Sequence, residues 1–140
     1  MSTIAEYERG RAIRENRVQK LAELSGRVLL AMLFLDSGLG KIGAYTATMD
    51  YMAAAGVPGT LLPIVIALEV LGGVALMVGW KTRVMSVLLA GFTLLSGAIF
   101  HGDLGDPMNR IHELKNLSIV GGFMLVIANG PGPLSLDRRS

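Results

Sequence analysis

The run Leu61–Gly79, LLPIVIALEVLGGVALMVG, limits what this chain can fold into more than any other stretch. It is almost wholly apolar and holds one ionisable side chain, Glu69. At about 1.5 Å rise per residue it nearly crosses a hydrocarbon core of about 30 Å, so it reads as a transmembrane helix. An acidic group at the centre of such a helix costs about 2.5–3.5 kcal/mol on insertion scales, so it normally faces protein and has a partner. Gly72 and Gly73 follow at three and four positions and share its face, where small residues let another helix approach. The remaining sequence must supply that helix and a counter-charge.

Composition agrees with a membrane protein. Of the 140 residues, 51% are hydrophobic and only 17% charged, where soluble domains carry about a quarter charged. The net charge of +2 gives no footprint for nucleic acid. The absence of Cys removes disulfide and thiol redox chemistry. The first twenty residues are charged and lack an apolar h-region, so no cleavable signal peptide is expected.

The expected fold is all-α: an integral membrane four-helix bundle preceded by a charged cytoplasmic segment. Residues 1–20 form the charged arm and residues 21–137 the four-transmembrane-helix domain. Span one covers residues 21–39, span two residues 61–79, span three residues 84–100 and span four residues 114–128. Residues 45–55 read as a short helix at the membrane surface, closed by the Gly56–Gly59 turn, GVPG. Span three has no ionisable residue and is expected to serve packing or lipid contact. Five cations lie in the arm (Arg9, Arg11, Arg14, Arg17, Lys20), two after span two (Lys81, Arg83) and two in the tail (Arg138, Arg139). Lys41, Arg110 and Lys115 lie at the opposite ends of the spans. By the positive-inside rule this nine-to-three split puts both termini in the cytoplasm.

That orientation collects Asp36, Lys41, His101, His112, Lys115 and Asn116 at the outer face, with Glu69 about 12 Å below. The expected arrangement is an ion-paired network in which Lys115 or Lys41 reaches Glu69. A lysine stem can descend most of a turn, and Lys115 from span four is the first choice, with Lys41 from span one as the alternative. One reading is glue between helices, for which interhelical polar contacts are modest. The other is an outward-opening polar pocket for a small polar ligand, a quinone headgroup or a proton relay. No metal site is expected: His101, Asp103, His112 and Glu113 share a loop, but no helical HExxH occurs. No phosphate loop, nucleophile elbow or haem-binding His pair is evident.

Several stretches resemble the DoxX family: FLDSGLGKI at Phe34–Ile42, AAAGVPG at Ala53–Gly59, ALEVLGGVALMVGWKTR at Ala67–Arg83, His101 at the end of span three, ELKNLSIVGGFML at Glu113–Leu125, and the terminal GPGPLSLD. The likeness covers roughly residues 20–137. It implies a small four-helix protein of the bacterial inner membrane. It also implies a more distant likeness to the membrane subunit of archaeal thiosulfate:quinone oxidoreductase. By the motif, Arg27, Lys41, Glu69, His101, Lys115 and Asn116 are the characteristic polar positions, whereas Asp36 departs from the pattern.

Two functions follow. The first is a quinone-linked or redox-associated membrane subunit. With no Cys and no cofactor site evident beyond a quinone pocket, it would draw electrons from a redox partner protein. The second is a non-enzymatic scaffold or small-solute-binding module that stabilises a partner complex. The bilayer is the one certain partner, and a homo-oligomer is compatible with either function.

Overall fold

The computed structural model describes residues 2–138, so Arg139 of the expected basic tail lies outside the described residues. The described chain is all-α. Helix α1 covers Ser2–Gly43, α2 Tyr45–Ala54, α3 Leu62–Val78, α4 Thr82–Phe100 and α5 Pro107–Asn129, with short 3-10 turns at Gly59–Leu61 and Leu136–Arg138. Three stretches, Gly59–Val78, Thr82–Phe100 and Pro107–Asn129, are long and apolar enough to cross a membrane. Helices α1 and α2, bent by 100° at their junction, make a fourth candidate if counted as one broken span.

Arm and span one are a single helix of 42 residues, about 63 Å long. No proline occurs before Pro58 to break it. Pairs at i,i+4 support its exposed part: Arg11 Nε lies 2.9 Å from Glu15 Oε1, and Gln19 Nε2 donates to Glu23 at 3.0 Å. The bend at Ala44 sends α2 across the end of the bundle.

Helix α5 starts earlier than expected. The polar loop ends at Asp106, whose side chain accepts from the Met108 N–H at 3.2 Å, and Pro107 opens the helix. An acidic N-cap followed by Pro is a favoured helix start. His112, Lys115 and Asn116 therefore stand inside a formed helix.

Helix α1 packs along α3, and α4 along α5. The close approach of α1 and α3 rests on missing side chains. A Cβ on Gly73 would lie 2.9 Å from Leu35 Cγ and 3.2 Å from the Ala31 carbonyl. Ala31, Phe34, Leu76, Leu89, Ala90 and Phe123 form the buried core, with the Phe34 and Phe123 rings 5.6 Å apart. Leu71, Val74, Val87, Leu94, Met124 and Leu125 point outward and are exposed. So much contiguous apolar surface would be a liability in water, whereas in lipid it is the solvated face.

The chain after α5 is not a loose tail. It folds back as a strap over the α3–α4 turn. Arg27 is buried, and its guanidinium donates to the Pro131 carbonyl and, at 2.5 Å, to that of Leu134. Asp137 accepts from the backbone N–H groups of Lys81 (2.6 Å) and Thr82 (2.8 Å) at the start of α4. Its own N–H donates to Gly79 at 2.9 Å. Gly79 ends α3 in the left-handed conformation at φ 75°, and a Cβ there would lie 2.4 Å from Ser135 Cβ, so only glycine fits.

Burial opposes the charged form of Asp137, but hydrogen bonds from Thr82 and Lys81 and the charge of Arg27 outweigh it and hold the carboxyl below its usual value. The folded pKa is thus the lower one. The strap's stabilisation is present at neutral pH and is lost as pH falls through the acid range, below about pH 4.

Two outcomes are expected. Gly73→Val should lower stability in detergent by about 1–3 kcal/mol through overpacking, whereas Gly121→Val, where nothing lies within 4 Å, should not. Asp137→Asn should make proteolytic release of the C-terminal strap less dependent on acid pH than in the wild type.

Candidate functional site

Helix α3 carries Glu69 on the face that meets α1. The carboxylate is only 3% exposed. Its partner is Lys41, in the last turn of α1. The ammonium Nζ lies 2.9 Å from both Oε1 and Oε2. Ser37, one turn earlier on the same face, joins the two: its hydroxyl accepts from Lys41 Nζ at 2.6 Å and donates to Glu69 Oε1 at 3.1 Å. Gly38 makes room for this contact, because a Cβ there would sit 2.7 Å from Val70 Cγ2 and 3.1 Å from Glu69 Cβ.

The group is paired and not saturated. An ammonium has three N–H donors. Only two are directed, to Ser37 Oγ and Glu69 Oε1. Glu69 Oε2 feels the cation but has no aligned hydrogen bond. One donor and one acceptor therefore remain side by side.

Lys41 and Glu69 line a cavity of about 470 Å³ between α1, α2, α3 and α4, which Asn116 of α5 also reaches. Its walls include Met52, Leu68, Phe92 and Leu95, and its polar groups include Ser96, His101 and Asn116. Tyr51 of α2 stacks on Phe100 with centroids 5.0 Å apart and roofs one side. Ile64, Leu95 and Ile99 line the cavity and are also exposed on the outer surface. The cavity thus opens sideways, between α3 and α4, toward the surface that lipid covers.

The DoxX family profile matches residues 22–102. The inner membrane protein YqjF of Escherichia coli is 43% identical over 122 residues, covering 87% of this chain and 94% of the relative. The inner membrane protein YphA of the same organism is 36% identical over 83% of this chain and 88% of its own length. A Bacillus subtilis protein named "Putative oxidoreductase CatD" is 30% identical over 87% and 89%. The chain belongs to the DoxX family. No solved structure matches it.

Of the residues singled out in this DoxX chain, Lys41, Glu69, His101 and Asn116 line one cavity. His112 does not line it; its ring stacks on His101 with centroids 4.7 Å apart, and His101 Nδ1 lies 3.4 Å from Asn109 Oδ1. Asp36 is exposed and is not a lining residue. Lys115 is exposed and lines a different groove, between α1 and α5, so the first-choice partner of Glu69 is corrected to Lys41. Helix α4, expected to serve packing or lipid contact, supplies five cavity-lining residues from Phe92 to Phe100. Ser37 was missed as a site residue; its spacing of four from Lys41 is the signal that could have found it.

Losing one member of a buried pair typically costs about 3–5 kcal/mol. Lys41 keeps 25% of its side chain accessible, so the lower end applies. Glu69→Gln and Lys41→Met should each destabilise the protein, and the double variant should be milder than their sum by about 0.5–3 kcal/mol. Lys115→Met should add to Glu69→Gln without coupling. Thermal unfolding in detergent of the three single and two double variants reads these values, and coupling to Lys115 instead of Lys41 would refute the pairing.

Proposed function

We propose that this DoxX protein is a quinone-linked, redox-associated subunit of the bacterial inner membrane, whose cavity holds a quinone headgroup. The observation that carries this reading is the unsaturated pair at the cavity wall. A quinone carbonyl accepts the free Lys41 N–H, and a quinol hydroxyl donates to Glu69 Oε2. The two redox forms present opposite hydrogen-bonding faces, and the pair offers both a donor and an acceptor. The sideways opening between α3 and α4 suits a ligand that arrives dissolved in lipid. Its apolar lining suits the ring and the first part of an isoprenoid chain.

Reducing a quinone takes two electrons and two protons. With no Cys in the chain, the electrons come from a redox partner protein, and the quinone is the acceptor. Glu69 and His101 stand where protons would be exchanged. In this reading the four long helices all span the bilayer, and the cation-rich end with both termini faces the cytoplasm. The cavity then lies toward the outer face. The oxidoreductase name of one relative agrees with this assignment.

The test is a melting curve of the purified protein with a short-chain quinone. A ligand at one hundred times its Kd raises stability by about 2.7 kcal/mol. A saturable rise is expected in the wild type, a weaker one in Glu69→Gln, and none in Leu95→Trp, which fills the cavity. A quinone effect equal in Leu95→Trp and wild type would refute the site.

A further inference from the structure

At the opposite end of the bundle a second pair of cavities meets. A polar cleft of about 1000 Å³ lies between α1, the α3–α4 turn and the C-terminal strap. Lys20, Lys81, Arg83 and Arg138 line it, together with Glu23 and Asp137. Cations outnumber carboxylates by four to two there. Asp137 already caps the start of α4 through the Lys81 and Thr82 N–H groups. Glu23 accepts from Gln19 at 3.0 Å. The remaining field is positive and sits where the helices leave the apolar layer.

An apolar groove of about 590 Å³ runs from this cleft along the outside of α1 and α5. Leu29, Leu30, Leu33, Ile119, Leu125 and Val126 line its length. Glu23, Asn129, Gly130 and Pro131 line both cavities, so the cleft and the groove are continuous. From Asn129 to Lys115, which closes the far end, the groove extends about 21 Å along α5. That exceeds half of a hydrocarbon core of about 30 Å. The buried Arg27 side chain lines the groove next to the junction, and its Nε–H has no hydrogen-bond partner. A buried donor left unpaired is costly, and an acceptor from a bound molecule would satisfy it.

We propose that the cleft and groove together bind one anionic phospholipid. Its phosphate sits among Lys20, Lys81 and Arg83. The ester oxygens come to the junction, within reach of Arg27. One acyl chain lies in the groove between α1 and α5. An apolar chain alone would be indifferent to the cation cluster, and a free phosphate would leave the groove empty. The continuity of the two cavities and the surplus of positive charge select a lipid with a net negative headgroup. This site is separate from the cavity beside Glu69 and stands whether or not that cavity holds a quinone.

The full-length, delipidated protein in a neutral detergent can be titrated with phosphatidylglycerol, with phosphatidylethanolamine of the same chains, and with glycerol phosphate, and the melting temperature followed. Phosphatidylglycerol should stabilise saturably and the other two much less. The affinity should fall with added salt. It should also fall about fivefold for each cation removed in Lys20→Gln and Arg83→Gln, the order expected for one cation near an anionic lipid surface. Gly26 lines the groove and has open space beside it, so Gly26→Leu should fold normally and block the chain. Equal effects of the two phospholipids would refute charge selection. An equal effect of glycerol phosphate would reduce the site to an anion cleft and refute the groove. Unchanged affinity in Gly26→Leu would do the same.

Discussion

The salt bridge between Lys41 and Glu69 is the contact on which the rest of the arrangement depends. A carboxylate near the middle of an apolar helix cannot face lipid without a large cost. That requirement alone fixes which face of α3 turns inward. Because Glu69, Gly72 and Gly73 share this face, the same rotation that buries the charge brings the small residues against neighbouring helices. Lys41 must then lie within about 3 Å of the carboxylate, which sets the height of α1 relative to α3. Gly38 and Gly73 are the points where that height becomes a close fit, one on each helix. Charge, register and packing are therefore one constraint seen at three places.

The two ends of the bundle solve different problems. At the end with His101, the helices leave a gap roofed by α2, and the polar groups inside it are only partly satisfied. At the other end, Arg27 and Asp137 tie the strap to α1 and to the start of α4, and the N–H groups of Gly79, Trp80, Lys81 and Thr82 in the α3–α4 turn are all engaged. A buried polar network that is fully satisfied stiffens a fold, whereas one with spare donors and acceptors has something to offer a ligand. Spare groups occur at both ends, Glu69 Oε2 at the first and Arg27 Nε at the second, and the chemistry around each one sets the ligand it could take.

Much of this was legible beforehand, for physical reasons. Long apolar runs specify spans, a lone carboxylate announces a partner, and small residues at helical spacing mark a contact face. The family resemblance found in the sequence is the one that the comparisons show. What failed was the relation between helices. Lys115 and Lys41 were both within reach of Glu69 as long as the register of α5 against α3 was unknown. Asp106 and Pro107 start α5 earlier than its apolar run implies, and Lys115 then falls on the face turned to the groove beside α1. The strap was missed because its anchors are backbone carbonyls, which leave no pattern in a sequence.

The uneven packing of the helices gives the last step. The α1–α3 and α4–α5 pairs are close, each held by glycine-permitted contacts or interleaved side chains, and the seams between the pairs are looser. One seam, between α3 and α4, holds the Glu69 cavity. The other, between α1 and α5, holds the groove with Lys115 at one end and the cation cleft at the other. Both open sideways into the surface that lipid covers, and neither opens mainly to water. A bundle assembled as two tight pairs therefore acquires two lateral clefts by geometry alone. The chemistry placed in each one distinguishes them: an unsaturated ion pair with aromatic walls in the first, and an apolar trough ending in surplus positive charge in the second. The same architecture thus suits two amphiphiles of different headgroup, each arriving through the membrane and each held where two helix pairs fail to close.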